Sequence, residues 1–127
     1  MLVDDNKLDN FFHQRVLSKC CPDLTIVSFT CPRVAMTHLL EGAATWQPGL
    51  VFLDINMPEM TGWEFLDEFC RVKPEAGIKF VMMSGQIPDS NRIDDFKDFI
   101  TSFAHKPLTV PYVYDLLFNK CSLSTDI

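Results

Sequence analysis

The stretch Pro48-Gly49-Leu50-Val51-Phe52-Leu53-Asp54-Ile55-Asn56-Met57-Pro58 decides how this chain is read. Pro48-Gly49 punctuates the backbone, and four apolar residues then follow without a break, as a strand covered on both faces requires. A helical bundle would need this run, and the similar Lys79-Phe80-Val81-Met82-Met83-Ser84, to be helices bounded too closely by Pro and Gly. The strand ends on Asp54, an ionisable group placed where burial without a partner is costly.

Outward from this strand the hydrophobic period alternates. Met1-Leu2-Val3 forms a short first strand. Leu8, Phe11, Phe12, Val16 and Leu17 recur at helical spacing after Asn6, which assigns Phe11-Phe12 to the core and rim of the first helix. Leu24 to Phe29 is a β-branched run after the breaker Pro22, and Val34 to Leu40 a second helix ending near Gly42. A third helix starts near Thr61-Gly62 and carries Trp63, Leu66, Phe69 and Cys70. Ile78 to Met83 is a fourth strand, Ile93, Phe96 and Phe99 or Ile100 mark a fourth helix, Ile100 to Ala104 a fifth strand, and Val110 to Leu117 a closing helix. Tyr112 and Tyr114 belong to the core or rim of that helix. Strict alternation predicts an α/β fold, an open parallel sheet with right-handed crossovers and helices on both faces.

The 127 residues, 47% of them apolar, suffice for one core and leave no room for a second domain of ordinary size. A single domain is expected over 1–121, followed by a polar tail over 122–127. No apolar stretch approaches the ~20 residues that span a bilayer, and the amino terminus shows no basic region followed by an apolar one, so a cytoplasmic protein without membrane contact is expected. With 17 acidic against 11 basic residues and a net charge of −6, the surface opposes direct binding to nucleic acid. The five cysteines lack metal-ligand spacing and read as reduced, packed thiols. His13, His38 and His105 likewise lack ligand partners at useful spacing and read as surface or partly buried packing residues.

Strands of a parallel sheet share a carboxyl-terminal edge. Asp4-Asp5, Asp54, Ser84 and Lys106-Pro107 each follow an apolar strand, so three carboxylates, a hydroxyl and an ammonium converge although a hundred positions separate them in sequence. Singly, each has a plain structural reading: an acidic pair caps a helix, a serine sits in a turn, a Lys-Pro in a solvated loop. Asp54 is the one that such readings explain least.

Leu2-Val3-Asp4-Asp5-Asn6, Leu53-Asp54-Ile55-Asn56-Met57-Pro58 with Gly62, Met83-Ser84-Gly85 and Lys106-Pro107, in that order, resemble the receiver domain of bacterial two-component response regulators. The resemblance implies a stand-alone (βα)5 flavodoxin-like, doubly wound sheet of strand order 2-1-3-4-5. It implies that Asp54 accepts a phosphoryl group, that Mg²⁺ is held by Asp4, Asp5, Asp54 and the backbone carbonyl of Asn56, and that Lys106 and Ser84 contact the phosphoryl oxygens. Ser84 and Phe103 would form a switch acting on the surface of the fourth helix, fifth strand and fifth helix, and Asn56 and Gln86 would set the phosphate's lifetime. A cis Lys106-Pro107 bond is also implied. The partners implied are a sensor histidine kinase or histidine phosphotransfer protein, and a downstream target protein that the sequence does not identify.

Two other readings compete. A small phosphohydrolase of the haloacid-dehalogenase type also uses a strand-end Asp, Mg²⁺, a hydroxyl and a Lys, but it needs an acid two residues past the nucleophile, where this chain has Asn56. A non-phosphorylated interaction module of the same fold would be expected to lack one of the acidic residues or the lysine, and all are present. Catalysis of a separate substrate's turnover is therefore not expected.

Overall fold

The computed structural model describes residues 1–41, 47–73, 77–85 and 93–119. Five parallel strands make one sheet in the order β2-β1-β3-β4-β5. They are β1 (Leu2–Val3), β2 (Ser28–Phe29), β3 (Leu50–Asp54), β4 (Lys79–Ser84) and β5 (Ile100–His105), joined by α1 (Lys7–Cys20), α2 (Pro32–Glu41), α3 (Gly62–Val72) and α4 (Val110–Phe118). This is the doubly wound α/β architecture that the alternating pattern predicts.

The central strands are buried beyond their first residues, Leu50 and Lys79, and their alternate residues serve two cores. Val51 and Leu53 of β3 with Phe80 and Met82 of β4 face α2 and α3, where Phe65, Leu66 and Phe69 pack. Phe52, Val81 and Met83 point the other way, towards Val16 and Leu17 of α1 and Val113 and Leu116 of α4. Because side chains alternate along a strand, a slip of one residue would exchange the two sets, so the register β3–β4, with Asp54 opposite Met83, is fixed from both sides.

Three local readings of the sequence change. Phe11 and Phe12 are 61% and 47% exposed, and the buried side of α1 is Asn10, His13, Val16 and Leu17. The reason is polar bonding: the Asn10 amide donates to the carbonyls of Asp4 and Phe29, pinning the ends of β1 and β2 together. The second strand shrinks to Ser28–Phe29, since β1 offers it only Leu2 and Val3 as ladder partners. The fourth helix is, among the described residues, a single 3-10 turn over Asp94–Phe96. The Phe99 carbonyl already accepts the Phe80 N–H, so the sheet recruits the backbone before an α-helix can develop. Phe96 still buries its ring, against Trp63.

Capping explains where the helices begin. The Asn6 side chain accepts from the N–H groups of Leu8 and Asp9 at the start of α1. Thr61 and Glu64 form a reciprocal capping box on α3, and Thr109 caps α4 with a proline in its first turn. The four cysteines among the described residues are free thiols, and none of the described helices is long and apolar enough to cross a membrane.

Candidate functional site

Crossovers run in opposite directions from β1 and β3, and the loops after these two strands part to leave a crevice at the carboxyl edge of the sheet. Asp4 and Asp5 stand on one side of it and Asp54 on the other. Their carboxylates each offer an oxygen within 4.8 Å of the others. Asp4 is fully buried, Asp54 is 3% exposed, and Asp5 lies open to solvent.

Lys106 reaches this group from the end of β5. Its Nζ lies 2.6 Å from Asp4 Oδ2 and 3.4 Å from Asp54 Oδ1. Its backbone is held by the Lys106 N–H, which donates to the Ser84 carbonyl at 2.8 Å; the Lys106-Pro107 peptide is cis, as the resemblance implied. Ser84, 4% exposed, ends β4, and its Oγ accepts from the Asn56 side-chain amide at 3.4 Å. The Asn56 N–H in turn donates to Asp54 Oδ1 at 3.2 Å. Carboxylate, amide and hydroxyl thus form a chain across the crevice.

Phe103 is half-buried with its ring 6.1 Å from that of Trp63, so it already leans on the α3 side of the sheet. Gln86 lies outside the described residues, as do Cys121 and the tail over 122–127. Of the three histidines, His105 is exposed, His38 partly buried beside Phe29, and His13 buried.

Sequence reasoning missed Asp9 and His13. Asp9 Oδ2 lies 3.1 Å from Lys106 Nζ, and His13 Nε2 accepts the Leu108 N–H at 3.2 Å. The signal was present in the helical period: stepping back from Val16 and Leu17 by three and four residues lands on His13, and from there on Asn10 and Asp9.

Three carboxylates, those of Asp4, Asp9 and Asp54, surround one ammonium, and a fourth, that of Asp5, lies beside Asp4 and Asp54. Burial, then the charge of Asp4, pushes the Asp54 carboxyl up from 3.8 to about 6, although Lys106 and the Asn56 N–H pull it down. Burial by itself would lower the Lys106 ammonium, but the carboxylates of Asp4, Asp54 and Asp9 outweigh it and hold its pKa above the usual lysine value. Burial and the nearby Lys106 charge keep His13 below the usual histidine range, against the pull of Asp4 and Asp9. An excess of negative charge on oxygen-only donors suits a hard divalent cation.

The raised Asp54 value has a consequence for stability. The folded chain binds this proton more tightly than the unfolded chain, so stability falls as pH rises from about 4 to about 6 and the full cost applies above that window. In metal-free buffer at pH 7.5, Asp54→Asn should therefore be more stable than the parent by roughly 3 kcal/mol, and the gap should close towards pH 4. Urea unfolding at the two pH values measures it. Equal stabilities at pH 7.5 would contradict the cost of burying the Asp54 charge beside Asp4.

The comparisons with known proteins agree with this geometry. Residues 1–117 match the family model of the response regulator receiver domain. A two-component response regulator from Cytophaga hutchinsonii shares 26% identity over 95% of this chain and 94% of its own, with a TM-score of 0.79. A CheY-like receiver domain protein from Methanospirillum hungatei, 23% identical, covers 100% of this chain and 96% of its own at a TM-score of 0.75. A response regulator from Burkholderia pseudomallei, crystallised with a phosphorylated aspartic acid, a calcium ion and citrate, is 16% identical over 98% of this chain and 69% of its own, with a TM-score of 0.70. No curated protein matches the chain. With the family match spanning all five strands and the strand order the same as in its structural neighbours, the chain belongs to the receiver domains of two-component response regulators.

Proposed function

We propose that Asp54 accepts a phosphoryl group from a phosphohistidine on a sensor kinase or histidine phosphotransfer protein. The observation that carries this reading is the placement of the Asp54 carboxylate at a strand end, 3.4 Å from the Lys106 ammonium and within 4.8 Å of the carboxylates of Asp4 and Asp5. An Asp54 oxygen attacks phosphorus, the donor's P–N bond breaks, and the electron pair stays on the imidazole nitrogen, which takes a proton from solvent. Lys106 and the Ser84 hydroxyl bind the equatorial oxygens. Asp4, Asp5, Asp54 and the Asn56 carbonyl would hold Mg²⁺, whose positive charge would let these carboxylates and the phosphoryl group coexist. The Burkholderia pseudomallei regulator, which contains both a phosphorylated aspartic acid and a calcium ion, supports a metal in this role.

Signalling follows from what Ser84 gives up. When its hydroxyl turns to the phosphoryl group, the bond from the Asn56 amide is released and Ser84 moves towards Asp54. Phe103 then turns further in beside Trp63, reshaping the surface around β5 and α4, which a target protein reads. The phosphoryl group shifts this equilibrium only as far as it binds the two arrangements unequally. Asn56, whose side chain reaches Ser84, and Gln86 set the lifetime of the acyl phosphate.

The metal site is tested by substitution. Both Asp4 oxygens are engaged, Oδ1 by the Asn6 N–H at 2.9 Å and Oδ2 by Lys106, whereas Asp5 is open to solvent. Asp5→Ala is expected to weaken Mg²⁺ by at least about tenfold and more than Asp4→Ala does, since even groups that only orient ligands act on that scale. Trp63 fluorescence during a Mg²⁺ titration reports it. Equal affinities in the parent and both variants would contradict the assignment.

A further inference from the structure

Helix α1 brings to Lys106 two side chains that phosphoryl transfer does not use. Asp9 Oδ2, at 3.1 Å from Nζ, lies nearer to the ammonium than Asp54 Oδ1 does at 3.4 Å. One turn along, His13 is 1% exposed and accepts the Leu108 N–H, which fixes the backbone two residues beyond Lys106. Positions four apart share one side of a helix, so α1 grips both the charged tip of Lys106 and the chain behind it.

The ammonium has three N–H donors, and its three neighbouring carboxylates are those of Asp4, Asp9 and Asp54. A phosphoryl group on Asp54 adds oxygens that need the same donors, so Lys106 must leave one carboxylate to reach them. The Asp4 side chain is wholly buried, and stripping it of its counter-charge leaves an uncompensated charge in the core. The Asp9 side chain is 39% exposed, so water replaces the ammonium there at little cost. Asp9 is the partner that yields.

We infer that Asp9 is a positioning residue that competes with the phosphoryl group for Lys106 and so weakens the site's hold on that group, an inference that rests on the phosphoacceptor reading of Asp54. Asp9 parks the ammonium in the resting site and must be displaced when the site is loaded. Removing the Asp9 charge frees Lys106 in advance. The effect runs through the lysine, which separates it from a general repulsion between Asp9 and an incoming anion.

Beryllium fluoride, which adds to a carboxylate oxygen and mimics the phosphoryl group, is the probe, with Mg²⁺ present and affinity read by Trp63 fluorescence. Asp9→Asn should bind it roughly fivefold more tightly than the parent, a fold-change on the scale of a half-exposed ion pair. Asp9→Glu should stay close to the parent. Lys106→Met should bind weakly, and adding Asp9→Asn to it should change nothing; Lys106→Gln replaces it should the methionine variant fail to fold. Unchanged or weaker binding by Asp9→Asn, or the same gain without the lysine, overturns the inference while leaving Asp54 in its role. Failure of the parent to bind the probe overturns the phosphoacceptor reading, and this inference with it.

Discussion

Asp54→Asn is expected to take up no phosphoryl group from acetyl phosphate and Mg²⁺ under conditions in which the parent chain gains one, acid-labile and visible by intact-mass measurement. The other carboxylates at the site are poorly suited to replace it. Asp4 has one oxygen on the Asn6 N–H and the other 2.6 Å from Lys106, while Asp5 and Asp9 stand further out towards solvent. Asp54 is desolvated, which raises its basicity to about 6, and it remains largely ionised at neutral pH with Lys106 beside it. Asparagine fills the same volume and keeps the fold, but an amide is a poor nucleophile. The expected effect is complete loss rather than slowing. Full labelling of the Asn variant would remove Asp54 from the role.

Gly62→Ala should be the most disruptive small change near the site. Gly62 opens α3, and its N–H donates to the Ile55 carbonyl at 2.8 Å, so the first turn of the helix lies directly on the end of β3. A Cβ there would come within 2.8 Å of the Asp54 carbonyl oxygen and 2.9 Å of Ile55 Cα. Both are backbone atoms, so the loop after β3 has to shift. The cost should be about 2–3 kcal/mol, at the upper end for overpacking, with slowed phosphorylation as Asp54 is displaced. Gly49→Ala is the control: nothing lies within 4 Å of its Cβ, and it should stay within about 0.5 kcal/mol of the parent. Chemical denaturation and the rate of labelling decide it; a Gly62→Ala protein as stable and as quickly labelled as Gly49→Ala would refute the close approach.

Much of this arrangement is legible in the chain because the chemistry sits where strands end. Leu50 to Leu53 and Phe80 to Met83 are apolar without interruption, and the residue that ends each run, Asp54 or Ser84, is the one that faces the crevice. Lys106 needed only the recognition of a fifth strand before it. The face of α1 was not legible in the same way. Apolarity selected Phe11 and Phe12, but the inward side is decided by bonds from Asn10 to two strand ends and from Leu108 to His13, and those partners lie up to 95 positions away. The length of β2 and the turn at Asp94–Phe96 were hidden for a related reason. Both are set by how much ladder a neighbouring strand provides, which the local period does not record.

The contact of Lys106 with Asp9 spans 97 positions, and that with Asp54 spans the second half of the sheet. On the ribosome, where folding starts from the amino-terminal side, a nascent chain that has made β1 and β3 already displays the acidic residues. It has no cation of its own to set among them until β5 emerges. An interrupted or truncated chain is left with a cluster of repelling carboxylates and no lysine for an incoming phosphoryl group. The charge balance of the acidic cluster thus closes last, when β5 takes its place at the edge of the sheet.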